Sequence, residues 1–253
     1  MISVRNLHKS FGDQHVLRGI DVDLQPGKCN LIIGLSGSGK TVMLKSILGL
    51  IQPDEGTILY DGRNLRQMEH SDARKVRQEM GMVFQGSALF TSQSIEENVR
   101  LPLDFFTRMS AAEKKERVRF CLERVRIENA AHKYPAELSG GMQKRVAIAR
   151  AIVLNPKYLF CDEPNSGLDP ETSLVIDALI QDITHEYGMT TVINTHDMNS
   201  VLEIGEHVLL LKGGEKVWEG TNDEILEAEN PAVVDYVFRS NLMKRVRTAL
   251  SGQ

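Results

Sequence analysis

The stretch Gly34-Leu35-Ser36-Gly37-Ser38-Gly39-Lys40-Thr41 restricts what this chain can fold into more than any other. An apolar run, Leu31-Ile32-Ile33, leads into it and reads as a buried strand. Val42-Met43-Leu44-Lys45-Ser46-Ile47-Leu48 follows, with apolar residues at helical spacing. Strand, glycine-rich turn and helix are the context in which G-x-x-x-x-G-K-[ST] becomes a phosphate site. The glycines let backbone N–H groups converge on an anion, and the start of the helix adds its partial positive charge. Lys40 then reaches the β- and γ-phosphates, and Thr41 offers its hydroxyl to Mg²⁺. An ordinary glycine turn with a solvated lysine needs neither the strand before nor the helix after. Nucleotide binding is the reading this context supports.

A chain of 253 residues can build one large α/β domain, or a core with an inserted subdomain. Its 30 basic and 34 acidic side chains leave a formal charge of −4, which gives no general attraction to nucleic acid or anionic lipid. No nucleic-acid partner is expected. The three cysteines (Cys29, Cys121, Cys161) are scattered through apolar or helical surroundings. They suit buried thiols in a reducing compartment, without a disulfide framework or zinc spacing. No apolar run approaches the ~18 residues that span a bilayer, and the N-terminus has no apolar secretion core. A cytoplasmic protein is expected, with any membrane role exerted through a partner.

Residues 2–33 alternate apolar and polar positions as strands do, with Gly12-Asp13 and Pro26-Gly27 as turns. Phe11 stands before the first turn, where it either edges the sheet or stacks on an adenine. The helix after Lys40 ends near Gly49, Pro53 to Gly56 turns the chain, and Thr57 to Tyr60 is a strand. Asp61-Gly62 carries a hairpin signal, residues 63–78 hold a short helix, and Met80 to Phe84 returns to strand. Past Gln85 the pattern becomes helical. Ser94-Ile95-Glu96-Glu97 and Ser110-Ala111-Ala112-Glu113 both match the capping box. Val118, Cys121, Leu122 and Val125 form one apolar stripe on a helix whose other faces are a solvated run of charge. Pro102 and Pro135 are expected to limit helices. The division expected is a core of 1–85 and 156–229, a helical insertion of 86–155 and a tail of 230–253. Tyr158 to Cys161, Thr190 to Asn194 and Val208 to Leu211 resume the core as strands, and Asp169-Pro170 opens a helix between the first two. Gly213-Gly214 makes a hairpin, Thr221 caps another helix, and the irregular tail ends in Lys244-Arg245-Val246-Arg247 before the last residues.

The strand Tyr158 to Cys161 delivers two consecutive carboxylates, Asp162 and Glu163, at its C-terminal end. Unpaired buried carboxylates are expensive, and Mg²⁺ with its phosphates is the counter-charge they call for. Asp162 would hold the metal through its water shell, and Glu163 would orient or deprotonate the attacking water. Leu138-Ser139-Gly140-Gly141-Met142 opens a second anion-binding helix start. One chain with one nucleotide does not need two. The economical explanation is a two-fold dimer, in which Ser139, Gly140 and Gly141 bind the γ-phosphate held by another copy.

In this order the motifs resemble those of an ATP-binding subunit of an ABC transporter, from residue 2 to about Gly220. The resemblance implies an α/β fold: a phosphate-loop ATPase core with an N-terminal antiparallel β part and an inserted α-helical subdomain. It implies ATP and Mg²⁺, with Gly34, Ser36, Gly37, Ser38, Gly39, Lys40, Thr41 and Val42 around the phosphates and Phe11 on the adenine. Gln85 matches the glutamine loop, near the metal and the reacting water. Asp162 and Glu163 match the paired carboxylates, and Asp169 the loop that contacts the other copy. His196 matches the switch histidine, which senses the γ-phosphate and orients Glu163 and water. Met142 departs from the family's usual glutamine, while Ser139 and Gly141 are retained. The segments 85–90, 94–99, 40–45, 139–145 and 164–170 resemble the ATPases of MCE-associated phospholipid transport, the Mla type. There an ATPase pair drives an integral-membrane permease with an MCE-domain partner, so the chain would sit on the inner membrane through that permease. An ATPase of another importer, for amino acids or metals, and a soluble cofactor-assembly ATPase remain as alternatives.

Overall fold

The computed structural model describes residues 1–239 and 244–245. The described chain runs β1 (Ile2–Phe11), β2 (Gln14–Leu24), β3 (Cys29–Ile33), α1 (Lys40–Ile47), β4 (Glu55–Tyr60), α2 (His70–Gln78) and β5 (Met80–Val83). It continues with α3 (Ile95–Phe106), α4 (Ala111–Arg124), α5 (Gly140–Ile152), β6 (Tyr158–Asp162), α6 (Pro170–Tyr187), β7 (Thr190–Asn194) and α7 (Met198–Ile204). The last elements are β8 (His207–Lys212), β9 (Glu215–Gly220), α8 (Asn222–Glu227) and α9 (Pro231–Val237). Two compact units result, one built from residues 1–25, 29–65 and 194 onward, the other from 26–28 and 66–193. The expected α/β fold with an antiparallel β part is present.

In the first unit β1 pairs antiparallel with β2 on one side and β4 on the other. The alternation seen in the sequence sends Ile2, Val4, Leu7, Leu17, Ile20, Val22 and Leu24 into the interior. Strand β3 is buried along its whole length and pairs in parallel with β8, Leu31 opposite Val208 and Ile33 opposite Leu210. A strand covered on both faces must be apolar throughout, which is why β3 and β8 read as continuous runs. Strand β9 returns antiparallel to β8 through Gly213-Gly214, both at positive φ. Asp61-Gly62 closes only a tight turn, with a single bridge between Tyr60 and Arg63. The residues after it carry no alternation that could extend a ladder, so the expected hairpin is not formed. Helix α9 was not legible in the alternation of the tail. Its start signal is nonetheless the one found at Asp169-Pro170: Asn230 Oδ1 accepts from the Ala232 N–H at 2.9 Å, and Pro231 takes the first helical position. Beyond Arg239 the tail, including Val246 and Arg247, lies outside the described residues apart from Lys244 and Arg245.

In the second unit β5 and β6 pair in parallel, with β7 next to β6. Both expected capping boxes form. Ser94 Oγ accepts from the Glu97 N–H at 3.3 Å while Glu97 accepts from the Ser94 N–H at 2.7 Å. Ser110 and Glu113 repeat the exchange at 3.3 and 2.7 Å. Pro102 corrects an expectation, because it lies inside α3 instead of ending it. A proline there removes the bond to the Asn98 carbonyl. The helix continues because Ile95, Val99 and Leu103, on both sides of the proline, are fully buried on one face. The Thr107 hydroxyl, donating to the Leu103 carbonyl at 2.7 Å, marks its actual end. The stripe Val118, Cys121, Leu122 and Val125 is buried as expected, and Cys29 and Cys161 are buried thiols too.

Candidate nucleotide-hydrolysis site

In the first unit the chain leaves β3 at Ile33 and makes the glycine-rich loop before α1. Gly34, Gly37 and Gly39 all take positive φ, at 149, 78 and 104°. A Cβ on Gly34 would stand 2.3 Å from the Leu211 carbonyl oxygen and 2.7 Å from Ser38 Oγ. On Gly39 it would stand 2.9 Å from a Leu17 methyl and 3.0 Å from the Val16 oxygen. Both positions are therefore closed to any side chain, by backbone conformation and by space. Gly39 is also the N-cap of α1 and provides no side-chain cap, so the first N–H groups of that helix keep their donors for an anion. Lys40 is buried, and its Nζ donates to the Gly34 and Leu35 carbonyls at 2.8 and 3.2 Å, folded back over the loop. Ser38 Oγ is buried without a hydrogen-bond partner, an orphaned polar atom in the cradle. Ser36, Gly37 and Thr41 are exposed around it, and Val42 is half-buried. Uncapped amides, an orphaned hydroxyl, a lysine and an exposed threonine are a donor set that fits a polyphosphate with its hard cation.

His196 follows β7 and is exposed, next to Asp197, which caps α7 by accepting from the Asn199 N–H at 2.9 Å. Phe11, at the end of β1, leaves half of its surface exposed (50%), and Lys9 Nζ lies 5.2 Å from its ring centroid. That exposure matches a stacking surface better than an edge packed into the sheet.

In the second unit β6 carries Asp162 into a buried position, and Glu163 follows half-buried at φ 47°. A left-handed backbone at a non-glycine residue is unfavourable and is held by its surroundings. Gln85 Nε2 reaches Glu163 Oε2 at 3.1 Å and Ser166 Oγ at 3.3 Å, so these three side chains form one cluster. Ser139 and Gly140 are exposed at the start of α5, and Ser139 Oγ accepts from the Met142 N–H at 3.3 Å. A Cβ on Gly141 would come 2.6 Å from Thr172 Cγ2, so the start of α6 leaves no room for a side chain there. Packing thus demands this glycine in addition to any amide exposed to an anion. Asp169 caps α6, accepting from the Thr172 N–H at 2.9 Å and the Thr172 hydroxyl at 2.6 Å. Those bonds hold its carboxyl below the usual aspartate range.

Two functional candidates were missed by sequence reasoning. Lys144 Nζ donates to the Gln85 carbonyl, and the Arg150 guanidinium donates to the Ser87 and Ala88 carbonyls at 2.7 and 2.8 Å. Ser87 and Ala88 both have positive φ, so two cations from one helix gather the carbonyls of a strained turn directly after Gln85. Burial pulls the Lys144 ammonium below its ordinary pKa, while Cys161 and the Glu163 carboxylate act in the opposite sense. Burial likewise lowers Arg150. The available signal was that Lys144 and Arg150 stand on a helix whose Val146, Ala147, Ile148, Ala149, Ala151 and Ile152 are all buried. Charges in such a stripe need a carbonyl or carboxylate nearby.

The chain matches the family described as ABC transporter over residues 17–166, more than half its length. It is 43% identical over 216 residues to the methionine import ATP-binding protein MetN of Clostridium tetani, covering 84% of this chain and 67% of the relative. It is 35% identical over 237 residues to the intermembrane phospholipid transport system ATP-binding protein MlaF of Haemophilus influenzae, covering 94% of this chain and 90% of the relative. Among solved structures it is similar to a dimeric post-hydrolysis state of the ATP-binding cassette MJ0796 bound to ADP and Pi. That likeness has a TM-score of 0.79 and 35% identity, covering 88% of this chain and 99% of that one. Among the described residues no helix is long and apolar enough to cross a membrane. The family match and the phosphate loop together lead to one conclusion: this chain belongs to the ABC transporter family, as an ATP-binding, ATP-hydrolysing subunit that uses ATP with Mg²⁺.

Proposed function

We propose that two copies of this chain hydrolyse ATP in shared sites and thereby drive a membrane permease that moves phospholipid, together with an MCE-domain partner. In each site the Gly34–Val42 loop of one copy holds the phosphates, and Phe11 stacks on the adenine. Ser139, Gly140 and Gly141 of the other copy close over the γ-phosphate, with Asp169 at the contact between copies. Thr41, Gln85 and Asp162 would hold Mg²⁺, which would supply neutralisation of the charge on the phosphate oxygens. Glu163 takes a proton from water as the water oxygen attacks the γ-phosphorus. The bond to the bridging oxygen breaks, and its electrons remain on ADP. His196 orients that water and the γ-phosphate. The core of 1–85 and 156–229 carries this chemistry, while the helical part, 86–155, faces the permease at the membrane.

The observation that carries the coupling is the turn after Gln85. Its side chain touches Glu163, and its main chain runs on to Phe90, whose N–H and carbonyl are both tied to Asn98 at 2.8 and 3.0 Å. The Phe90 side chain itself stays half exposed (50%), which suits a contact with a second protein better than a core position. For phospholipid, the support is the likeness of residues 85–90 and 94–99 to Mla-type ATPases and the MlaF relative aligned along 94% of this chain. Methionine import is the second reading, favoured by the higher identity to MetN. Affinity purification of the chain from detergent-solubilised membranes separates them. A polytopic permease with an MCE-domain protein and bound phospholipid is expected; a permease accompanied by a methionine-binding protein would overturn the lipid assignment.

A further inference from the structure

The chain turns directly after Glu163. The Ser166 N–H donates to the Glu163 carbonyl at 3.1 Å, the Leu168 N–H donates to the Asn165 carbonyl at 3.2 Å, and Gly167 takes φ 82°. Within that turn the Asn165 side chain is half-buried, and its Nδ2 donates to Asp177 Oδ1 at 2.7 Å. Asp177 stands two turns into α6 and is almost fully buried (1% exposed). A carboxyl costs free energy to bury unless donors meet it. Ile176 and Ile180, beside it on the helix, are fully buried apolar side chains. Helix propensity and packing would both favour leucine at 177. What aspartate adds there is hydrogen bonding, and the turn after Glu163 receives it.

We propose that Asp177 is a positioning residue for hydrolysis: through Asn165 it fixes the turn after Glu163 and so holds the Glu163 carboxylate in place to act on water. The inference rests on the reading of Glu163 as the base. Glu163 keeps φ 47°, a conformation it does not favour by itself, so its surroundings must supply the restraint. Asn165 is two residues further on, and the bond from Ser166 back to Glu163 keeps the intervening chain tight. Ser166 also shares Gln85 Nε2 with Glu163, at 3.3 and 3.1 Å, so loosening the turn moves both acceptors of that amide together. An acceptor fixed on a packed helix limits that movement. A displacement of about 1 Å at a reacting group can cost about 10²-fold in rate. The effect belongs in the chemical step, because neither Asp177 nor Asn165 is among the groups that hold nucleotide.

The test is Asp177→Leu in the full chain. Leucine branches at the same carbon as aspartate, so it fills the site and removes the acceptor. Single-turnover phosphate release gives the chemical rate, calorimetry the Kd for MgADP, and nucleotide-free melting the Tm. The rate should fall about 10- to 100-fold while Kd stays at the parental value. Tm should not fall, since an apolar side chain suits a buried position. Asn165→Ala breaks the same bond from the turn and should lose the same factor; it decides the question if leucine lowers Tm. Asp177→Asn, whose amide oxygen can accept from Asn165, should recover most of the rate. In Glu163→Gln protein, Asp177→Leu should add no further loss, because the group it places is already gone. Parental rates in both Asp177→Leu and Asn165→Ala would end the proposal, as would no recovery in Asp177→Asn or a further loss on top of Glu163→Gln. Full activity in Glu163→Gln alone is a separate failure: it would remove Glu163 as the base, and this inference with it.

Discussion

Glu163→Gln is the substitution that most directly tests the hydrolysis chemistry, and its size can be worked from the local geometry. Glu163 sits at φ 47°, and glutamate and glutamine pay the same cost for that backbone, so the difference cancels. The contact from Gln85 Nε2, 3.1 Å from Glu163 Oε2, can be kept by an amide carbonyl in the same place. Fold and ATP affinity should therefore survive, while the group that takes the proton from water is lost. Removing a general base costs ~10²–10⁴ in rate, or about 2.7–5.5 kcal/mol of barrier. Phosphate release under single-turnover conditions, with the enzyme in excess over MgATP, isolates the chemical step from product release. A companion, Glu163→Gly, separates site from scaffold. Glycine accepts a positive φ without the steric cost, so this variant should be as inactive as Glu163→Gln yet melt no lower than the parent. Hydrolysis by Glu163→Gln at the parental rate would refute the assignment of Glu163 as the base. A large fall in its melting temperature would show instead that the carboxylate is holding up the fold.

Shared sites predict complementation: Lys40→Ala chains mixed with Ser139→Arg chains place both defects in one composite site and leave the other intact. Partial activity should return, and no recovery in demonstrated mixed dimers would count heavily against two-fold sites. Phe90→Ala should leave nucleotide binding and melting temperature nearly unchanged, since the ring is half exposed, while lowering co-purification with the permease. A large drop in Tm with the permease still bound would place Phe90 in the core. All three cysteines are buried, and burial pushes the Cys121 thiol up to about 11, so native protein should resist iodoacetamide at neutral pH and react at all three positions once unfolded. Mass spectrometry of the native sample decides this; fast native labelling of Cys121 would contradict its packing.

Much of the candidate site is legible in the sequence because its signals are local. The loop from Gly34 to Thr41 needs glycine where φ turns positive, and the capping serines Ser94 and Ser110 compete with water for N–H groups only three residues away. Strands β3, β6 and β7 are buried at every residue, so their apolar runs announced them. Helix boundaries were less secure where tertiary contacts outweighed a local rule. Pro102 breaks a hydrogen bond within its own turn, yet the burial of Val99 and Leu103 around it is worth more than that bond.

Contacts between residues far apart in sequence were decided only by folding. Gln85 meets Glu163, Lys144 and Arg150 take hold of the turn after Gln85, and Thr172 crowds Gly141. Periodicity, caps and turn residues reflect energies that act across a few bonds or one helical turn. Which distant side chain then satisfies a buried carbonyl, or supports a strained φ at Glu163, Ser87 and Ala88, depends on where packing brings the helices and strands, because such groups take whatever partner the tertiary structure supplies.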